Sequence, residues 1–249
     1  MTSPGRVTAA DSAGPLSDAV LRPVRGHHAF ESCVEQLATA IRLGVFPLGA
    51  ALPPERELAE RMGVSRATLR EAIAGLRAAD MVRTTRGRGG GTVVSYQPSD
   101  PGSDAAGIAG RRDELLDSLV FRRVVEPGAC YVAAGRTLTA SERMLLNAAL
   151  AEVDAASGPA EHRQADSRLH LAIASVSGSA MTVEAVTEVQ VRLHDMLQAI
   201  PVLEVNIEHS NAQHRAIVSA IVKGEPTKAR RAMEQHCDDT AALLRGLLG

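Results

Sequence analysis

The chain has no tryptophan, three phenylalanines and two tyrosines, so aromatic residues make up only 2% of its 249 positions. A core with so few rings has to be built from Leu, Val, Ile and Ala, which suits packed helices better than a β-sandwich. Cysteine is scarce as well. Cys33, Cys130 and Cys237 stand far apart with no Cys-x-x-Cys pair, which argues against a disulfide scaffold and for a reducing, cytoplasmic setting. No apolar run approaches the roughly 18–20 residues of a membrane span. The first residues lack the charged-then-apolar order of an export signal, and no internal repeat is visible.

Excess charge is also missing, since the formal net charge is −2. That average hides an asymmetry. Residues 51–95 hold eight arginines against five acids, whereas residues 101–249 hold fifteen basic residues against nineteen acids. A basic module followed by an acidic one fits a nucleic-acid-facing domain joined to a domain with another task.

What is present is best read from Gly63 to Ile73. Gly63-Val64 makes a tight turn, and Ser65 can cap the helix that follows. Leu69, Ile73 and Leu76 recur on its inner side, while Arg66 and Arg70, four apart, share another side. Arginine makes paired hydrogen bonds to guanine edges and to phosphates, which points this helix at DNA. Around it, Phe30, Val34, Leu37, Ala38 and Ile41 predict a helix over 28–43, and Pro54 suits the first position of a short helix ending at Gly63. Val82–Thr85 and Thr92–Ser95 are β-prone runs separated by Arg86-Gly87-Arg88-Gly89-Gly90-Gly91, a hairpin with a long tip. Three helices and such a hairpin make a winged helix-turn-helix over 25–95. A phosphate-binding loop is a poor alternative for the glycine run, because a β-prone segment rather than a helix follows it and the Lys-Ser/Thr ending is absent. A solvated helix face remains the plain alternative for Arg66 and Arg70.

Leu52-Pro53-Pro54-Glu55-Arg56-Glu57-Leu58-Ala59, Gly63-Val64-Ser65-Arg66, Leu69-Arg70-Glu71-Ala72 and the glycine-rich wing closely resemble the GntR family of bacterial transcription regulators. The resemblance implies that Arg56, Arg66 and Arg70 contact DNA, with Thr68 and the wing residues Arg86, Arg88 and Gly89 as lesser candidates. Residues 1–24, rich in Gly, Pro, Ser and Ala, read as a loose tail, and 96–110 as a linker.

Residues 111–249 read as all-helical. Six helices are expected at about 112–135, 139–156, 159–177, 179–199, 202–223 and 227–246, with Thr139 and Glu142 forming a capping box. Asp166 and His170, four apart, project from one helix face. His214 and His236 each interrupt an apolar stripe on a later helix. A single inward histidine is usually a hydrogen-bonded core residue, but three helices each sending such a group inward match the way bundles build metal sites. An all-helical domain of this size resembles the FadR-type subfamily with its FCD effector domain. There, Asp-x-x-x-His followed by two later histidines implies a divalent metal held by Asp166, His170, His214 and His236. Zinc, nickel, manganese and iron all accept one carboxylate and three imidazoles. Arg122, in Arg122-Arg123-Val124-Val125-Glu126, resembles an inward arginine of that subfamily; a surface ion pair with Glu126 is the alternative. Arg122, and more weakly Arg192, are effector-binding candidates, as is Asn211, which stands one turn before His214 and could also partner that ligand.

These readings converge on a mostly α, bacterial cytoplasmic regulator, nucleoid-associated when bound, and not an enzyme. It would act as a homodimer on an inverted-repeat double-stranded operator, most simply as a repressor, with no membrane partner. A small carboxylate effector at or near the metal would set operator affinity. The alternatives are a purely structural metal in the same regulator and a metal-dependent enzyme.

Overall fold

Aliphatic residues at helical spacing do form helices here. The computed structural model describes residues 14–24, 29–85, 91–97, 110–199 and 204–247, and among these are ten helices and one two-stranded sheet. The chain divides after Gln97 into two compact units.

The first unit holds α1 (Pro15–Val20), α2 (Ala29–Arg42), α3 (Glu55–Met62), α4 (Arg66–Ala78), β1 (Val82–Thr85) and β2 (Gly91–Val94). Helix α4 begins as its sequence dictates, with the Ser65 hydroxyl accepting the Thr68 N–H at 3.0 Å. Its buried residues, Leu69, Ala72, Ile73 and Leu76, pack mainly against α2. Gly63 closes α3 at φ 64°, a left-handed conformation that glycine adopts without a Cβ penalty. The strands pair antiparallel, Val82 opposite Val94 and Thr85 opposite Gly91.

Three details depart from the sequence reading. Part of the expected loose tail, residues 15–20, is helical. Val20 and Leu21 are buried, enough to anchor a short element despite its small-residue surroundings. Pro54 is the cap before α3 rather than its first residue, because its ψ of 139° is extended. The sheet also gains an edge from the Pro/Gly-rich stretch before α3: Leu52 N–H donates to the Thr92 carbonyl at 2.8 Å, and Val94 N–H to that of Ala50 at 2.9 Å.

The second unit holds α5 (Arg112–Ala134), α6 (Ala140–Ala155), α7 (Pro159–Val176), α8 (Ala180–Ala199), α9 (Glu204–Val222) and α10 (Pro226–Leu247). The Thr139–Glu142 capping box starts α6. Helix α5 packs against α7, α8, α9 and α10, and α7 in turn against α5, α6 and α8. Most of α7 from Ala165 to Val176 is buried, so polar groups on it face protein. No described helix is long and apolar enough to cross a membrane.

Candidate metal centre

The interior of the second unit gathers four ligand-type side chains from three helices. Asp166 and His170 come one turn apart from α7, His214 from α9 and His236 from α10. All four are buried, and one ligand atom from each lies within 4.8 Å of the others. The imidazole centroids stand 5.5 Å (His170–His214), 5.2 Å (His170–His236) and 4.6 Å (His214–His236) apart. Metal–ligand bonds of about 2.1 Å place ligands on opposite sides of an ion about 4.2 Å apart, so a small inward adjustment would close this set.

The donor chemistry fits a cation. Both ring nitrogens of His214 and of His170, and Nε2 of His236, are buried without an aligned hydrogen-bond partner among the described residues. Burial with no partner is costly, and an ion taking those lone pairs removes the cost. Burial pushes His214 down to about 4 against the attraction of Asp166, and it lowers His236 as well. Both rings are therefore neutral near pH 7, the ligating form. Burial raises the Asp166 carboxyl, but the facing histidines and Arg122 outweigh it and hold it below its ordinary value. The outer nitrogens are oriented too. His236 Nδ1–H donates to Gln213 Oε1 at 3.0 Å, and His170 Nδ1 lies 3.0 Å from Glu126 Oε2. The His236 contact fixes the tautomer that leaves its Nε2 free to ligate, and Glu126 stands close enough to His170 to orient that ring.

Behind His170 stands a buried ion pair. Arg122 Nε donates to Glu126 Oε2 at 2.9 Å, with the two side chains 1% and 2% exposed. Glu126 Oε1 also accepts from Gln190 Nε2 at 2.7 Å. The expected alternative of a surface pair is thus corrected: the pair exists, but inside the bundle. Arg122 Nη1 and Nη2 are buried with no hydrogen-bond partner among the described residues, and Arg122 lines a cavity of about 140 Å³ together with Asp166 and His236.

Two effector-binding expectations land elsewhere. Arg192 pairs with Glu188 and Glu114 and does not line that cavity. Asn211 is not a partner of His214; its Oδ1 faces His162 Nε2 at 3.0 Å. His162 and His209 also line the cavity. Gln213 and Gln190 carried no spacing signal and were found only through their partners.

In the first unit, Arg66 is exposed at the start of α4. Arg70, 59% exposed, is held by Glu55 at 2.7 Å, and Arg56, 76% exposed, pairs with Glu60 at 3.3 Å. Thr68 is half-buried beside the Ser65 cap. Arg86, Arg88 and Gly89 lie outside the described residues.

Comparison with known proteins agrees with this division. Residues 30–94 match the bacterial regulatory proteins of the gntR family, and residues 117–239 match the FCD domain. RmpR of Mycobacterium gastri, an HTH-type transcriptional regulator by name, is 30% identical over 231 residues, 89% of this chain and 82% of that protein. A protein of Escherichia coli named as regulatory for the L-lactate dehydrogenase operon is 32% identical over 212 residues, 76% of this chain and 75% of its own. Among solved structures, McbR/YncC of E. coli has the same fold, with a TM-score of 0.52 at 18% identity over 89% of this chain and 99% of that one.

Proposed function

The chain belongs to the GntR family of bacterial regulatory proteins, with an FCD domain after its winged helix, and from that premise we propose a metal-assisted, acid-responsive repressor. It is a sequence-specific transcription regulator, and its relatives are regulators rather than enzymes. In the proposed reading, a homodimer sets two α4 helices into successive major grooves of an inverted repeat. Arg66 and Arg70 read base edges, Arg56 and Thr68 hold phosphate, and Arg86, Arg88 and Gly89 extend the contact from the wing.

Asp166, His170, His214 and His236 would hold the divalent ion. When bound, it supplies a positive centre that can take a carboxylate oxygen. The observation that carries the effector reading is Arg122. Its Nε is committed to Glu126, while Nη1 and Nη2 are buried at the cavity beside Asp166 and His236 and unpartnered. A guanidinium edge presents two parallel donors in the geometry of a carboxylate. A small organic acid would satisfy that edge and the ion at once. The name of the E. coli relative, tied to an L-lactate dehydrogenase operon, is consistent with an acid effector.

The test uses full-length protein and an operator selected from random duplexes. Arg66→Ala should abolish operator binding while Glu161→Ala leaves it intact. Small carboxylates should raise the thermal midpoint of metal-loaded protein and shift its operator affinity, and both effects should vanish after chelation or in His214→Ala. Equal operator binding by Arg66→Ala and Glu161→Ala would overturn the DNA assignment. A carboxylate response that survives chelation would overturn the role of the metal.

A further inference from the structure

The cavity at Arg122 is asymmetric, and its asymmetry speaks to the kind of acid it takes. At one end are the unpartnered Arg122 donors, Asp166 and His236; the remaining wall includes Leu193 and Leu197 of α8, Ile207 of α9 and Leu243 of α10. Leu197 and Leu243 pack on the cluster Leu115, Leu119, Leu193, Met196, Ala241 and Leu244, yet remain only partly buried. Their uncovered surface borders this cavity, where a ligand would complete the core.

The polar groups on the wall are mostly committed. His162 is bonded to Asn211, Thr240 donates its hydroxyl to the His236 carbonyl, and Gln213 bridges His236 and Asp239. His209 pairs with Asp239 at 3.0 Å. Arg163, the second arginine of the lining, already has a partner. A second carboxylate on a ligand would therefore find few open donors beyond Asn206 and Ser210 and would lie near leucines and the Asp239 carboxylate, and a run of hydroxyls would lose more water than those two side chains replace. Size limits what can be enclosed, since a space of this order holds about a six-carbon ring and a longer ligand would extend into solvent.

Resting on the carboxylate reading above, we infer that the effector is a short monocarboxylate with an apolar tail. Its carboxyl end lies at Arg122, and its aliphatic or small-ring tail of a few carbons packs on Leu193, Leu197, Ile207 and Leu243. Sugar acids, di- and tricarboxylates and long acyl chains are disfavoured.

Titration calorimetry on full-length, metal-loaded protein tests this with L-lactate, 2-hydroxyisocaproate, citrate, D-gluconate and decanoate. Each additional buried CH2 should tighten binding about fourfold, so 2-hydroxyisocaproate should bind at least tenfold tighter than lactate, with citrate, gluconate and decanoate weaker than both. Leu197→Asn and Leu243→Asn, on different helices, should each abolish the preference for the branched tail while leaving lactate affinity within about threefold. Two variants guard against one that fails to fold, and their thermal midpoints identify it. Tighter binding of citrate, gluconate or decanoate than of 2-hydroxyisocaproate would overturn the inference and leave the carboxylate reading standing. A full tail preference retained in a folded leucine variant would do the same. Binding of none of the five acids would overturn both.

Discussion

Glu126 shows how much one side chain can organise. It accepts from Arg122 and Gln190, lies 3.0 Å from His170 Nδ1, and receives a weak Cys237 Sγ–H contact at 3.6 Å. Burial alone would raise its carboxyl, but Arg122 and His170 outweigh that and hold it well below the usual range. Removing one partner of a buried pair leaves the other charge uncompensated, which costs about 3–5 kcal/mol. Glu126→Ala should therefore destabilise metal-free protein by that amount in chemical denaturation, far more than Glu161→Ala. An unchanged denaturation midpoint would mean that Arg122 finds another partner. The i,i+4 spacing of Arg122 and Glu126 was legible from sequence. Their depth was not, because spacing fixes which side chains meet but not what covers them.

At the scale of elements, α5 has two opposed faces. Leu115, Leu119, Arg122, Glu126, Ala129, Cys130 and Ala133 point into the bundle, while Val120, Phe121, Val124, Tyr131 and Val132 are exposed, Val124 by 69%. An exposed apolar stripe of this kind marks an interaction site. Beside it, Arg123 pairs with Glu234 and Asp238, a mixed-charge rim suited to meeting a second copy of itself. If this is the homodimer face, Val124→Asp should shift the protein from dimer to monomer in analytical ultracentrifugation and weaken binding to an inverted repeat more than to a half-site. A dimer that persists in Val124→Asp would move the interface elsewhere. Element positions themselves were legible: the capping box, the Ser65 cap and the Gly63 stop are local chemistry and lie where the sequence placed them. The extra sheet edge at 49–52 was not, because its Pro and Gly residues disguise a segment that pairs only through contacts with β2.

For the molecule as a whole, the buried histidines link stability to pH. His214 is depressed to about 4 by burial, and His236 is lowered too, from an ordinary value of about 6.5. The unfolded chain then binds more protons than the folded one across that window. The stability these neutral rings contribute is present above about pH 6.5 and is lost progressively as the pH falls towards 4. Chelator-treated protein should show a thermal midpoint that declines over this range. His214→Ala should show a shallower decline, and an equal slope would place the sensitivity in other groups. In loaded protein, metal should be released over a lower range, because ligation competes with protonation.

The sequence by itself pointed to the candidate recognition helix and the candidate ligand set. Both are written in local periodicity: Ser65, Arg66 and Arg70 by helix start and spacing, Asp166 and His170 by one turn of helix, and His214 and His236 by breaks in apolar stripes. The tertiary structure decided what those residues face. Only the packing of α7, α9 and α10 brings four ligand atoms within 4.8 Å, buries Arg122 with two unpartnered donors, moves Asn211 to His162, and leaves Arg192 on an outer ion pair. Periodicity gives the side of a helix on which a group stands; the depth of that side, and the partner across it, are set by helices distant in sequence.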